Sequence, residues 1–199
     1  DVKWIDEFPT DGLEEVYFGL DFGFSSDPSV LTRVGISGRN LFVECMAYQC
    51  TPDVDTLFDL IYQQITKEIE RQKNEAVENG IKNEYLETSN ILIACDSSDK
   101  YRDTPFVPDL NNISERKGLF WQFEKVKKPH IVTRISLAKR FNLHFVKNNE
   151  FNIEQQNYTY KKGDNGNPTN IPIDEYNHIF ESWMYATWKY IRWKIDNDK

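Results

Sequence analysis

Three carboxylates stand where they could share a metal ion. Asp21 closes the short apolar run Val16-Tyr17-Phe18-Gly19-Leu20, and Asp96 closes a second one, Ile91-Leu92-Ile93-Ala94-Cys95. A carboxylate at the C-terminal end of a strand sits where the backbone stops pairing and side chains meet solvent. Two such groups brought close repel each other unless a cation lies between them, and hard oxygen donors suit Mg2+ or Mn2+. Glu181 follows His178 by three residues, so both project from one face of a helix. Together these four residues could hold one or two ions. Two ions about 3.5–4 Å apart activate water and stabilise the leaving oxygen of a phosphodiester.

Taken singly, each residue has a plainer role. A strand-end Asp commonly caps a turn, and a lone helical Glu is usually solvated. His130 and His144 read as structural, and Asp27 before Pro28 reads as a turn residue. Asp174 reads as the N-cap of the last helix, while Asp99 and Asp103 read as solvent-facing groups after the Asp96 strand. Joint placement is what sets Asp21, Asp96 and Glu181 apart.

Positioning them requires a particular order of elements. Residues 1–14, with Pro9 and Gly12, read as a leader or linker, and 15–199 as one domain. The strand ending at Asp21 is followed by a turn at 25–28, a strand from Ser29 to Ile36, a turn at 37–40 and a strand from Leu41 to Tyr48. Thr51-Pro52-Asp53 predicts a helix start with Thr51 as the cap. Val54, Leu57, Phe58, Ile61, Ile65 and Ile69 then recur at helical spacing. The polar stretch 71–89 is a helix extension or an exposed loop, and the apolar run ending at Asp96 suits a buried central strand. Leu119–Val126 predicts a strand, Ile131–Phe141 a helix and Leu143–Val146 a strand. Residues 154–162 alternate polar and aromatic before the turn Gly163-Asp164-Asn165-Gly166, and a last element runs from about Ile173 to Ile195. This is an α/β domain whose mixed sheet has three antiparallel strands followed by parallel ones, flanked by helices. The element order is that of the ribonuclease H-like fold, in which the first and fourth strands are neighbours.

Composition narrows the class. The 199 residues are 39% hydrophobic and 14% aromatic, enough for a core, and no apolar run approaches a membrane span. The chain opens on acidic residues and Trp4 rather than on a secretory signal, and it lacks an initiator Met, so a fragment of a longer polypeptide is expected. Cys45, Cys50 and Cys95 have neither disulfide-framework nor zinc spacing, which suits a reducing compartment. A net charge of -8 argues against indiscriminate nucleic-acid binding. The segment 116–147 is nevertheless basic, opposed only by Glu124. Its Lys125, Lys127, Lys128, Arg134, Lys139 and Arg140 form either a DNA-facing edge or a solvated face.

Three motifs carry a resemblance. Gly19-Leu20-Asp21-Phe22-Gly23-Phe24 with Ser26-Asp27-Pro28 resembles the first nuclease motif of large terminase subunits of tailed bacteriophages. Ala94-Cys95-Asp96-Ser97 resembles the second motif. Tyr158-Thr159-Tyr160, Pro172-Ile173-Asp174, Asn177-His178, Glu181 and Tyr185-Ala186 resemble the third. The resemblance spans most of 15–195. It implies an endonuclease that cuts double-stranded viral DNA during packaging, with Asp21, Asp96 and Glu181 as metal-binding acids, His178 as an auxiliary ligand, and two Mg2+ or Mn2+ ions. It further implies an ATPase domain, a small terminase subunit and a capsid portal as partners, in the cytoplasm of an infected bacterial host. The third acid in many members is Asp, whereas here it is Glu181, one methylene longer. No phosphate loop of the GxxxxGKS/T type occurs, so the chain is expected to be the C-terminal nuclease domain, with 1–14 as the linker from a removed ATPase domain. Another ribonuclease H-like nuclease, of resolvase or transposase type, and a non-catalytic DNA-binding assembly module are the alternatives. The Gly19–Gly23 turn also resembles the phosphate-binding turn of actin-like and Hsp70-like ATPases, for whose second domain 199 residues leave no room.

Overall fold

The computed structural model describes residues 2–23, 27–78, 91–97, 106–173 and 175–193. Nine strands and five α-helices are described: β1 (Val2–Ile5), β2 (Glu15–Asp21), β3 (Ser29–Ser37), β4 (Asn40–Gln49), α1 (Val54–Glu78), β5 (Leu92–Cys95), α2 (Phe106–Arg116), β6 (Gln122–Lys125), α3 (Ile131–Ala138), β7 (Asn142–Val146), α4 (Asn149–Asn157), β8 (Tyr160–Lys162), β9 (Pro168–Pro172) and α5 (His178–Ala186), which continues into a π-helical turn, Thr187–Ile191.

β2, β3 and β4 form the antiparallel meander, and its edges are extended by parallel pairs, giving the order β1-β7-β4-β3-β2-β5-β6. This is the expected mixed sheet. A bulky apolar residue on each side of every central strand lets both faces be covered. On one face α1 and α2 pack Leu57, Phe58, Ile61 and Leu110 against Leu20, Leu31 and Ile93. On the other, α3, α4 and α5 pack Leu137, Phe151, Ile179, Trp183 and Tyr185 against Val30, Val34 and Val43. β8 and β9 make a separate two-stranded ribbon.

Several local expectations change. Val2–Ile5, within the presumed leader, is an edge strand parallel to β7, because its apolar side chains, Trp4 among them, pack onto the α4–α5 core. The α1 cap is Asp53, whose carboxylate accepts the Thr56 amide at 2.7 Å, while Thr51 bonds Ser29 instead. An ionised acceptor complements the helix dipole better than a hydroxyl does. The strand expected from Leu119 is shorter, and α2 was not foreseen. Glu154, at the start of the alternating stretch, lies in α4, since Asn148 caps a helix there by accepting the Phe151 amide at 3.0 Å. Asp99, Asp103 and Asp174 lie outside the described residues.

Candidate functional site

The parallel pairing of β2 with β5 sets Leu20 beside Cys95, and the Asp96 amide donates to the Leu20 carbonyl at 3.1 Å. Asp21 and Asp96 therefore emerge side by side, both buried, at the C-terminal ends of adjacent strands. α5 brings the third acid by lying directly on β2. A Cβ on Gly19 would sit 1.9 Å from the Ser182 carbonyl oxygen, so only glycine permits this approach. The contact is fixed by the Ser182 hydroxyl, which lies 2.8 Å from the Gly19 carbonyl, 3.1 Å from that of Val30 and 2.9 Å from Thr32 Oγ1. Glu181 and His178, on the preceding turn, consequently face the two aspartates.

Tyr185 ties the acids together. Its hydroxyl is 2.8 Å from Glu181 Oε2 and 3.2 Å from Asp21 Oδ1. Lys128 Nζ lies 3.0 Å from the same hydroxyl, 2.8 Å from Asp96 Oδ1 and 3.9 Å from Glu181 Oε2. Arg134 Nη1 donates to Glu181 Oε2 at 2.5 Å, and His178 Nδ1 is 3.0 Å from Asp21 Oδ2. Three carboxylates thus meet one phenol, one ammonium, one guanidinium and one imidazole.

The electrostatics follow from crowding and burial. Burial lifts the Asp21 carboxyl to about 6 against the opposing pull of His178, and Asp96 and Glu181 add to the rise. His178 is raised, chiefly by its hydrogen bond to Asp21. Burial pushes the Tyr185 phenol well up, and the acids around it push further, so it stays a neutral donor. The surrounding cleft holds about 450 Å³ and is walled on one side by the catalytic candidates and on the other by Tyr158, Lys161 and Ile171–Ile173 beside the ribbon. A hollow of about 730 Å³ between α1 and α2, lined by Asp55, Asp109, Glu115 and Arg116, is larger, but none of these charged residues is buried.

Glu154 was not among the expected residues. Buried on α4, it accepts the Ile179 amide with both oxygens, at 3.0 and 3.2 Å, capping α5 where Asn177 makes no side-chain cap. Burial raises it to about 7. No sequence signal marks it, because the cap comes from 25 residues upstream. Tyr185, which the third motif contains but without an expected role, is one turn beyond Glu181 and two beyond His178, on the same helix face. Of the basic candidates, Lys125, Lys127, Lys139 and Arg140 are exposed. Lys128 and Arg134 are instead turned into the acid cluster, and the Arg134 side chain is only 6% exposed.

No protein-family profile matches the chain, and no curated protein does. Solved structures match it closely in shape. The nuclease domain of the g2p large terminase from bacteriophage SPP1, with bound Mn, superimposes with a TM-score of 0.61 at 16% identity, covering 94% of this chain and 95% of that one. The chain has the ribonuclease H-like fold of large terminase nuclease domains. The large terminase nuclease of the thermophilic phage G20c, with bound magnesium, matches with a TM-score of 0.50 at 14% identity over 92% of this chain and 85% of that one.

Within that terminase-nuclease fold, the donors here fit a hard divalent ion in kind, being carboxylate oxygens with one imidazole beside them. Among the described residues, no three acidic, histidine or cysteine side chains are already arranged as a metal's ligand shell. The Lys128 ammonium is close to two of the acids, Asp96 and Glu181.

Proposed function

We propose that this chain is a divalent-metal-dependent endonuclease acting on double-stranded DNA, the nuclease domain of a large terminase. The observation that carries this reading is the convergence of Asp21, Asp96 and Glu181 at the open ends of β2 and β5, in a fold whose neighbours were solved with Mn and with magnesium. Asp21, Asp96 and Glu181 would hold Mg2+ or Mn2+, two ions in all, with His178 orienting Asp21 and available as an auxiliary ligand. When bound, the ions supply Lewis acidity that activates water and stabilises the leaving oxygen. The chain's own residues do the rest. His178 holds one Asp21 oxygen and Tyr185 the other, so the carboxylate cannot rotate away. Arg134 and Tyr185 hold Glu181 through one oxygen, Oε2, and the cap from Glu154 keeps the first turn of α5 intact. Exposed Lys125, Lys127, Lys139 and Arg140 would contact phosphates, a role that makes affinity fall steeply with salt.

As a terminase nuclease domain, it would work beside an ATPase domain, a small terminase subunit and a capsid portal, in the cytoplasm of an infected bacterial host. No helix among the described residues is long and apolar enough to cross a membrane. Plasmid digestion in Mn2+ or Mg2+ tests the reading. The wild type should nick and linearise the plasmid, and Asp96→Asn should not. Equal cutting by both would remove the metal assignment. Metal-independent binding without cleavage under any divalent ion would favour the assembly-module alternative.

A further inference from the structure

The two cations inside the acid cluster differ in freedom. Arg134 is sealed in, its side chain 6% exposed, its Nη1 on Glu181 and its buried Nε without a partner. Lys128 is 31% exposed and comes from the loop between β6 and α3, with Lys127 before it and Pro129 after. Its ammonium reaches Asp96 directly, lies near Glu181, and touches the Tyr185 hydroxyl that in turn contacts Asp21. One flexible point charge thus neighbours all three acids, directly or through a single hydroxyl. An ammonium on a four-carbon stem can swing to solvent, whereas a guanidinium packed into the core cannot.

We infer that Lys128 is a tethered counter-cation, seated among the acids until a divalent ion displaces it, so that it sets how much metal the site requires. This rests on the metal-site reading above and adds its regulation. Without a cation at that point, three buried carboxylates face each other with less positive charge to offset them. With Lys128 in place, a metal must first break the Asp96–Lys128 pair. The displaced ammonium then points out of the cleft, where a DNA phosphate can accept it. Metal uptake and phosphate binding become coupled through one side chain.

The test is Mn2+ affinity of the metal-free protein without DNA, read by electron paramagnetic resonance of the free ion. Lys128→Met removes the charge at nearly constant length and should bind Mn2+ about tenfold more tightly, since a competing cation a few ångströms away is gone. Its metal-free Tm should fall, and saturating Mn2+ should close the gap with wild type. Lys128→Gln should tighten binding as well, which separates loss of charge from loss of packing, and circular dichroism checks that both variants fold. Unchanged or weaker Mn2+ affinity in the folded variants, with normal uptake by wild type, overturns this inference alone. No uptake by wild type overturns the metal-site reading and this inference with it.

Discussion

Among the described residues two arginines are buried, and they sit in different kinds of surroundings. Arg33, on β3, lies between Glu44 and Glu68 with its guanidinium 3.8 Å from the centre of the Phe8 ring. Glu68 also bonds Arg71 and Gln72, and these partners outweigh burial and hold its carboxyl below the ordinary range. Arg33 and Glu68 each have several partners there. Arg134 serves a cluster of three carboxylates that lines a cleft. Its partner Glu181 shares one oxygen with Tyr185 and neighbours Lys128, its own Nε is unpaired, and Asp21 nearby is pushed up to about 6. An ionic network whose partners hold a carboxyl low is what a fold uses for stability, whereas a raised carboxyl in a cleft is where functional sites are sought, because perturbed groups cluster there.

The difference can be tested from the largest effect downward. Asp21→Asn should reduce plasmid cleavage by more than about a hundredfold, since even outer-shell changes around metals cost about 10–100-fold. Its metal-free Tm at neutral pH should not fall, because a neutral amide avoids the burial cost that raises Asp21, to which the neighbouring acids add. A large loss of Tm would place Asp21 in the same structural class as Arg33. Arg33→Met should do the reverse, destabilising by about 3–5 kcal/mol by leaving Glu44 and Glu68 facing each other. Below its melting temperature it should still cut DNA, and selective loss of cleavage with intact stability would erase the distinction.

A third outcome concerns pH. Asp21 and Glu154 are raised from 3.8 and 4.5 to about 6 and about 7, and His178 is raised too. Each binds its proton more tightly folded than unfolded. The carboxyl contributions are complete below the ordinary values and are lost as pH rises through about 6 and about 7. Metal-free stability, followed by chemical denaturation, should therefore increase on going from pH 8 to pH 5.5, and Asp21→Asn should flatten that slope. Mn2+ affinity should move the other way, weakening as protons compete for the same oxygens. The smallest effect is expected for Glu154→Gln. It keeps an acceptor for the Ile179 amide but loses the charge, so cleavage should drop by about tenfold with Tm at pH 8 held or slightly raised. A drop in Tm without any effect on cleavage would make Glu154 purely structural.

Much of the fold was readable along the chain. The meander, the apolar strand before Asp96 and the helical spacing in α1 each follow from local periodicity, and the pairing of β2 with β5 from the order of elements. Asp21, Asp96, His178 and Glu181 could be singled out because strand ends and helix faces have fixed geometry. Elements with weak periodicity escaped: β1, whose burial depends on β7 and the core beneath it, and α4, whose polar sequence gives little helical signal.

The sequence by itself determined which carboxylates could meet, since residue type and spacing decide what each strand end and helix turn presents. Tertiary structure alone decided what surrounds them. That Tyr185 joins the acids, that Glu154 caps α5 from a distant helix, and that Lys128 and Arg134 turn inward rather than out toward solvent all depend on contacts between segments far apart in the chain. The reason is physical: hydrogen bonds and charge pairing act through space, and no local pattern records which distant groups the packing of α5 on Gly19 brings within 3 Å of one another.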